Sequence, residues 1–200
     1  MVAFRPISGL VAWAAALGGV LYGLTFVVLD NVAASAALLL IGGLLTTLIL
    51  VALGGSVASR GEQAARWAVG IGVIGAVGSL LHGGYDLANQ IHPPLIPGAV
   101  SPSDLPSQVD PRGLATFGLV GLAFAALGAL MRTVDAYPPR LAGLAVALGA
   151  IMIIIYLGRL IILDPDNPVV RLALAAGLIA NTAFLGWLGT VWRRGHPAPA

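Results

Sequence analysis

His82 and Asp86 stand four residues apart in a stretch built mainly of Gly, Ala, Val and Leu, with Ser79 before them and Asn89 and Gln90 after. Side chains three and four apart share one face of an α-helix, so the carboxylate can orient the imidazole and choose which ring nitrogen keeps its proton. At about 100° per residue, Gly72, Gly75, Ser79, His82, Asp86, Asn89 and Gln90 lie on one face, opposite Val73, Ala76, Val77, Leu80, Leu81, Leu87, Ala88 and Ile91. Such a pair handles protons, binds a ligand, or forms a satisfied polar spot in a core. Four more polar side chains interrupt other apolar stretches: Tyr22, Tyr156, Arg159 and Asn181. The Arg159 fork is expected to form a salt bridge to Asp86, with a reach toward Asp164 or capture of an anionic ligand as the alternatives.

Familiar catalytic arrangements find no support in these residues. The chain has no Cys, which removes thiol chemistry, disulfides and Cys-ligated metals together. Ser79 lies between Gly78 and Leu80, with no nucleophile-turn or oxyanion motif beside it. A metal set of His82, Asp86 and His92 lacks a convincing third ligand, because His92 falls off the polar face. The histidines also do not sit on facing helices as bis-histidine haem ligation requires. No catalytic residue, metal or cofactor is therefore expected, and the reading leans away from an enzyme.

The elements that must hold these residues follow from composition. Of 200 residues, 58 % are hydrophobic and 9 % charged, and the mean hydropathy is +0.97. Soluble domains carry about a quarter charged residues, so this inventory cannot face water on all sides. The net charge of +2 offers no basic patch for nucleic acid, which is excluded as a partner. Six stretches match the roughly 20 apolar residues that a bilayer-crossing helix needs: 7–29, 32–59, 67–91, 113–131, 141–163 and 172–192. The first is longer than a signal-peptide core and another follows at once, so it is expected to be a retained helix.

The fold expected is an all-α, single-domain bundle of six transmembrane helices. Arg5, Arg60, Arg66, Arg132, Arg140, Arg193 and Arg194 flank one set of helix ends, which places both termini in the cytoplasm. Trp67 and Trp192 fall where an interfacial aromatic belt belongs. All ten basic residues are Arg, a usage that fits a GC-rich bacterial genome and hence a bacterial cytoplasmic membrane. The segment 92–112, with six prolines, is expected as an outer loop that partly covers the mouth. Gly19 with Gly23, and Gly75 with Ser79 and Gly83, form small-residue stripes suited to helix contacts within the chain or, less favoured, to a dimer.

Depth follows from a rise of about 1.5 Å per residue. Asp86 and Arg159 both lie roughly 10 Å from their outer helix ends, Tyr22, Tyr156 and His82 roughly 12–16 Å, and Asn181 roughly 20 Å. The strongly polar side chains inside the spans thus occupy the outer half or the midplane. They predict a pocket between the first, third, fifth and sixth helices, open outward and plugged toward the cytoplasm.

Leu81-His82-Gly83-Gly84-Tyr85-Asp86-Leu87-Ala88-Asn89, Asp110-Pro111-Arg112-Gly113-Leu114-Ala115-Thr116-Phe117, Tyr156-Leu157-Gly158-Arg159-Leu160, Asp164 to Pro168, and Gly186-Trp187-Leu188-Gly189 form a further pattern. Together they resemble uncharacterised multi-pass membrane proteins of bacteria, a family of unknown function in high-GC and Chloroflexi-type genomes. The resemblance, over about 70–192, implies a six-helix membrane fold and transfers no activity or site residue. The function expected is a non-enzymatic pocket for a small molecule, lipid headgroup or ion, formed by Tyr22, His82, Asp86, Asn89, Tyr156, Arg159 and Asn181. The alternatives are an accessory subunit of a larger membrane assembly and a small secondary transporter. Expected partners are the bilayer, such a ligand, and a second copy or another chain.

Overall fold

The computed structural model describes residues 4–93, 116–162 and 167–195, and these form helices joined by short turns, with no strand among them. Helix α1 (Phe4–Gly23) runs into a π-helical turn, Leu24–Val28; α2 (Val32–Val57) ends in a 3-10 turn, Ala58–Arg60. Then come α3 (Glu62–Ile91), a second π turn at Thr116–Val120 leading into α4 (Gly121–Met131), α5 (Pro139–Ile162) and α6 (Pro168–Arg193). Among the described residues, five helical stretches are long and apolar enough to cross a membrane, and Thr116–Met131 is a shorter apolar one. The architecture is that of an all-helical, multi-pass membrane protein. Most of the expected outer loop, from residue 94 onward, lies outside the described residues, as do Asp104, Asp110, Arg112, Asp164 and Asp166.

Helices overrun the apolar windows where polar residues carry the extra turn. α3 begins at Glu62 because Glu62 and Arg66 pair on its exposed first turn. α6 begins at Pro168, a ring pre-set for the first helical position, and Asn167 Oδ1 accepts from the Val169 N–H at 3.0 Å. Between α1 and α2 the chain turns within a few residues. Asp30 takes a left-handed conformation at φ 47°, and Asn31 Oδ1 accepts from the Ala34 N–H at 3.0 Å.

The six helices close a ring in chain order, each antiparallel to the next, with α6 packed back on α1. Glycines set the close approaches. A Cβ on Gly83 would stand 2.5 Å from Ala36 O, on Gly75 2.8 Å from Val120 N, and on Gly23 2.7 Å from a Leu178 methyl. The stripes read from the sequence thus serve contacts within the chain, where small residues let helix backbones approach.

The main apolar cluster gathers at the end of the bundle that holds the described chain ends. It contains Ala12, Ala15 and Ala16 of α1, Ile49 to Val57 of α2, and Ala65 and Ala68 of α3. Phe124 to Met131, Leu141 to Leu148 and Phe184 to Trp192 complete it from α4, α5 and α6. Tyr137, in the α4–α5 turn, seals this end. Its hydroxyl accepts from Trp192 Nε1 at 3.0 Å and shares a short hydrogen bond with Ser56. Trp192 is therefore 8 % exposed, a buried anchor and no belt residue, because its N–H finds an internal partner; Trp67, at 66 %, does face outward.

Burial pushes the Tyr137 phenol above its usual value of 10.0, opposed in part by the bonds to Ser56 and Trp192. A raised folded value favours the neutral phenol. This contribution to stability is present below about pH 10 and lost as pH rises through the folded value. Tyr137→Phe is expected to cost about 1–2 kcal/mol at neutral pH, since it strands the Trp192 N–H. It is also expected to flatten the alkaline fall in stability, and unfolding followed from pH 8 to 11 in both proteins checks both effects.

Candidate functional site

At the opposite end of the bundle, α1 with its π turn, α2 and α3 border a cleft of about 80 Å³. Tyr22 and Phe26 line it from α1 and its π turn, Asp30 and Asn31 from the connecting turn, Val32, Ser35, Ala36 and Leu39 from α2, and His82 and Asp86 from α3. The π turn shapes the first wall. The Thr25 hydroxyl donates to Leu21 O at 2.9 Å, and the Asn31 N–H reaches back to Thr25 O at 2.9 Å. π turns in otherwise regular helices are frequent where function needs a local bulge. Here the Tyr22 and Phe26 rings stack with centroids 5.6 Å apart and planes within 5°.

His82 Nε2 lies 3.1 Å from Asp86 Oδ2, and the two side chains are 29 % and 32 % exposed. The i,i+4 relation seen in the sequence is therefore an actual contact. The expected Asp86–Arg159 salt bridge does not form: the ion-pair partner of Asp86 among the described residues is His82. The ring order explains this, because α4 stands between α3 and α5. Equal depth along two helices does not make them neighbours. Tyr22 bridges part of the gap, lying within electrostatic range of both Asp86 and Arg159.

Of the seven expected pocket residues, the cleft brings together Tyr22, His82 and Asp86. Asn89 is half-buried one turn beyond Asp86 on α3. Tyr156 packs on the second π turn, where a Cβ on Gly118 would stand 3.2 Å from its ring. Asn181 faces α1, 3.6 Å from the Cβ position of Gly19. Arg159 is half-buried on α5. The cleft is thus walled by α2 where α5 and α6 were expected. Ser79 is buried and shares a 3.2 Å hydrogen bond with Thr116, whose hydroxyl also donates to Gly75 O at 3.3 Å. That serves packing of α3 on the second π turn.

Asp30, Asn31, Ser35 and Phe26 join the cleft without having been singled out from the sequence. Their signal was present: a polar Asp-Asn pair only eight residues after Tyr22, in a turn too tight to carry either side chain far away. Among the described residues no three His, Asp or Glu side chains converge as a metal site would need. No family model, no curated protein and no solved structure matches the chain. The class stands on architecture alone, and the function on the chemistry of the cleft.

Proposed function

We propose that this is a non-enzymatic protein of a bacterial cytoplasmic membrane, with both termini in the cytoplasm, that binds a small polar ligand or lipid headgroup in its outer end. The observation that carries the reading is the division of the bundle. The main apolar cluster, tied by Tyr137, Ser56 and Trp192, fills the end with the described chain ends. The other end opens a cleft lined by Tyr22, Asp30, Asn31, Ser35, His82 and Asp86. Ionisable groups inside a membrane are costly and face the bundle interior or a wet cavity, where they mark sites of function. A mostly apolar concavity with a few convergent polar groups is the usual form of a ligand site.

The sealed inner end favours a receptor-like or ligand-holding role over transport, which needs a route to both faces. In this reading Arg159 and Tyr156 line the outer half beside the cleft, and Arg159 meets anionic groups at headgroup depth. The basic helix ends set the orientation.

The absence of Cys makes the arrangement directly testable. Asn31→Cys at the outer turn and Ala64→Cys on the first turn of α3, both exposed positions, report the two faces. In right-side-out vesicles a membrane-impermeant maleimide is expected to label Asn31→Cys and to spare Ala64→Cys, with the pattern inverted in inside-out vesicles. The opposite pattern overturns the orientation, and labelling of both from one side overturns the span count between them.

A further inference from the structure

We propose that the ligand of this cleft is an organic ammonium group, presented by a lipid headgroup such as phosphatidylethanolamine or by a free small amine; this rests on the reading of the cleft as a binding site. Charge sign comes first. Two carboxylates, Asp30 and Asp86, line the cleft with one imidazole and no Arg or Lys. Even with His82 protonated against Asp86, the lining keeps an excess negative charge on Asp30. Arg159 acts on Tyr22 from outside this lining, so the lining itself favours a cation over an anion.

Wall chemistry then separates kinds of cation. A bare divalent ion asks for about six oxygen ligands in a closed shell, whereas Phe26, Val32, Ala36 and Leu39 give much of this lining to carbon. An alkylammonium group uses both parts. Its charge sits between the carboxylates and its carbons lie on the alkyl walls. The stacked Tyr22 and Phe26 rings offer π faces that attract an ammonium. Position agrees with the lipid source. Phe26, on the π turn that follows α1, is 59 % exposed, so one wall of the cleft borders the surface that would meet lipid. The amide of Asn31 and the hydroxyl of Ser35 supply acceptors for the ammonium hydrogens.

The test measures affinity through the thermal stabilisation of the purified full chain in detergent micelles. The probes are dihexanoyl phosphatidylethanolamine, dihexanoyl phosphatidylglycerol, and ethanolamine hydrochloride against sodium chloride at equal ionic strength. The ethanolamine lipid is expected to bind at least tenfold more tightly than the glycerol lipid. Asp86→Asn and Asp30→Asn are each expected to weaken it tenfold or more. Asn tolerates the left-handed conformation at position 30, so that variant keeps the turn even if the change at Asp86 disturbs folding. Stabilisation by free ethanolamine, lost in the same variants, supports the inference with a soluble amine as the source. Stabilisation by the lipid alone supports it with the headgroup as the source. If the glycerol lipid binds as tightly as the ethanolamine lipid and the binding needs Asp30 and Asp86, the ammonium inference is overturned while the cleft remains a site. If no probe depends on either residue, both the inference and the site are overturned.

Discussion

Gly149→Ala is expected to destabilise the bundle by about 2–3 kcal/mol, whereas Gly158→Ala on the same helix changes stability by less than about 0.5 kcal/mol. Gly149 sits where α5 crosses α4 backbone to backbone. A Cβ there would stand 2.5 Å from both Ala125 N and Gly121 O, and Gly121 returns the contact, its own Cβ position lying 2.9 Å from Gly149 O. Backbone atoms cannot rotate aside as a flexible side chain can, so the two helices must separate. In a bilayer that separation is costly, because lipid drives no association and close packing is what holds helices together. Among the described residues α4 is the shortest α-helix, and it is held between α5 and α3. At Gly158 nothing lies within 4 Å of the Cβ position, and Ala gains slightly in helix propensity. Reversible unfolding of both variants in mixed micelles decides the matter: equal stabilities would mean that the α4–α5 backbones are not in contact.

Phe184→Ala is expected to cost a further class of energy, of the order of 2–4 kcal/mol. Phe184 is 0 % exposed and meets Phe124 edge to face, with ring centroids 5.5 Å apart. The unfolded chain in a membrane keeps this ring in hydrocarbon, so little transfer energy is lost on truncation. What disappears is dispersion contact, and what remains is a void that rigid neighbours cannot fill. Leu172→Ala, on a residue of the same helix that faces outward, serves as the control and is expected to stay within about 0.5 kcal/mol. A small effect at Phe184 would show that this end of the bundle is loosely packed. Ligand stabilisation at the far cleft is expected to survive in the folded fraction, since this ring pair belongs to the main apolar cluster and does not line the cleft.

The sequence carried one coordinate of the site well and the other poorly. Hydropathy and proline placed helices, and counting rise along them put Tyr22, His82 and Asp86 at levels that meet in one cleft. The polar face of α3 was likewise legible from a 3.6-residue period, and the His82–Asp86 contact followed from it. Azimuth around the bundle was not legible. Which helix stands beside α3 depends on glycine contacts such as Gly83 with Ala36 and Gly75 with Val120, and nothing in the spacing of one helix names its neighbour. The unformed Asp86–Arg159 pair has this origin. So does the unexpected wall from α2, a helix without a single charge, which lends Ser35 and its alkyl side chains to the cleft. The two π turns were also invisible, since five apolar residues read the same in a π turn as in an α-helix.

Close packing holds α1 along α6 as far as Gly23 and leaves the tip beyond it without such support. The helix is clamped at Ala12, Ala15 and Ala16 and by Trp13, which donates to Gly186 O at 3.1 Å. Beyond that clamp its tip, Leu24–Val28, contains no buried residue. The opposite wall is stiff, because α2 and α3 touch backbone to backbone at Gly83. Phe26 rides on that tip. One side of the 80 Å³ cleft is thus a short unburied tip, and the other a closely packed pair of helices.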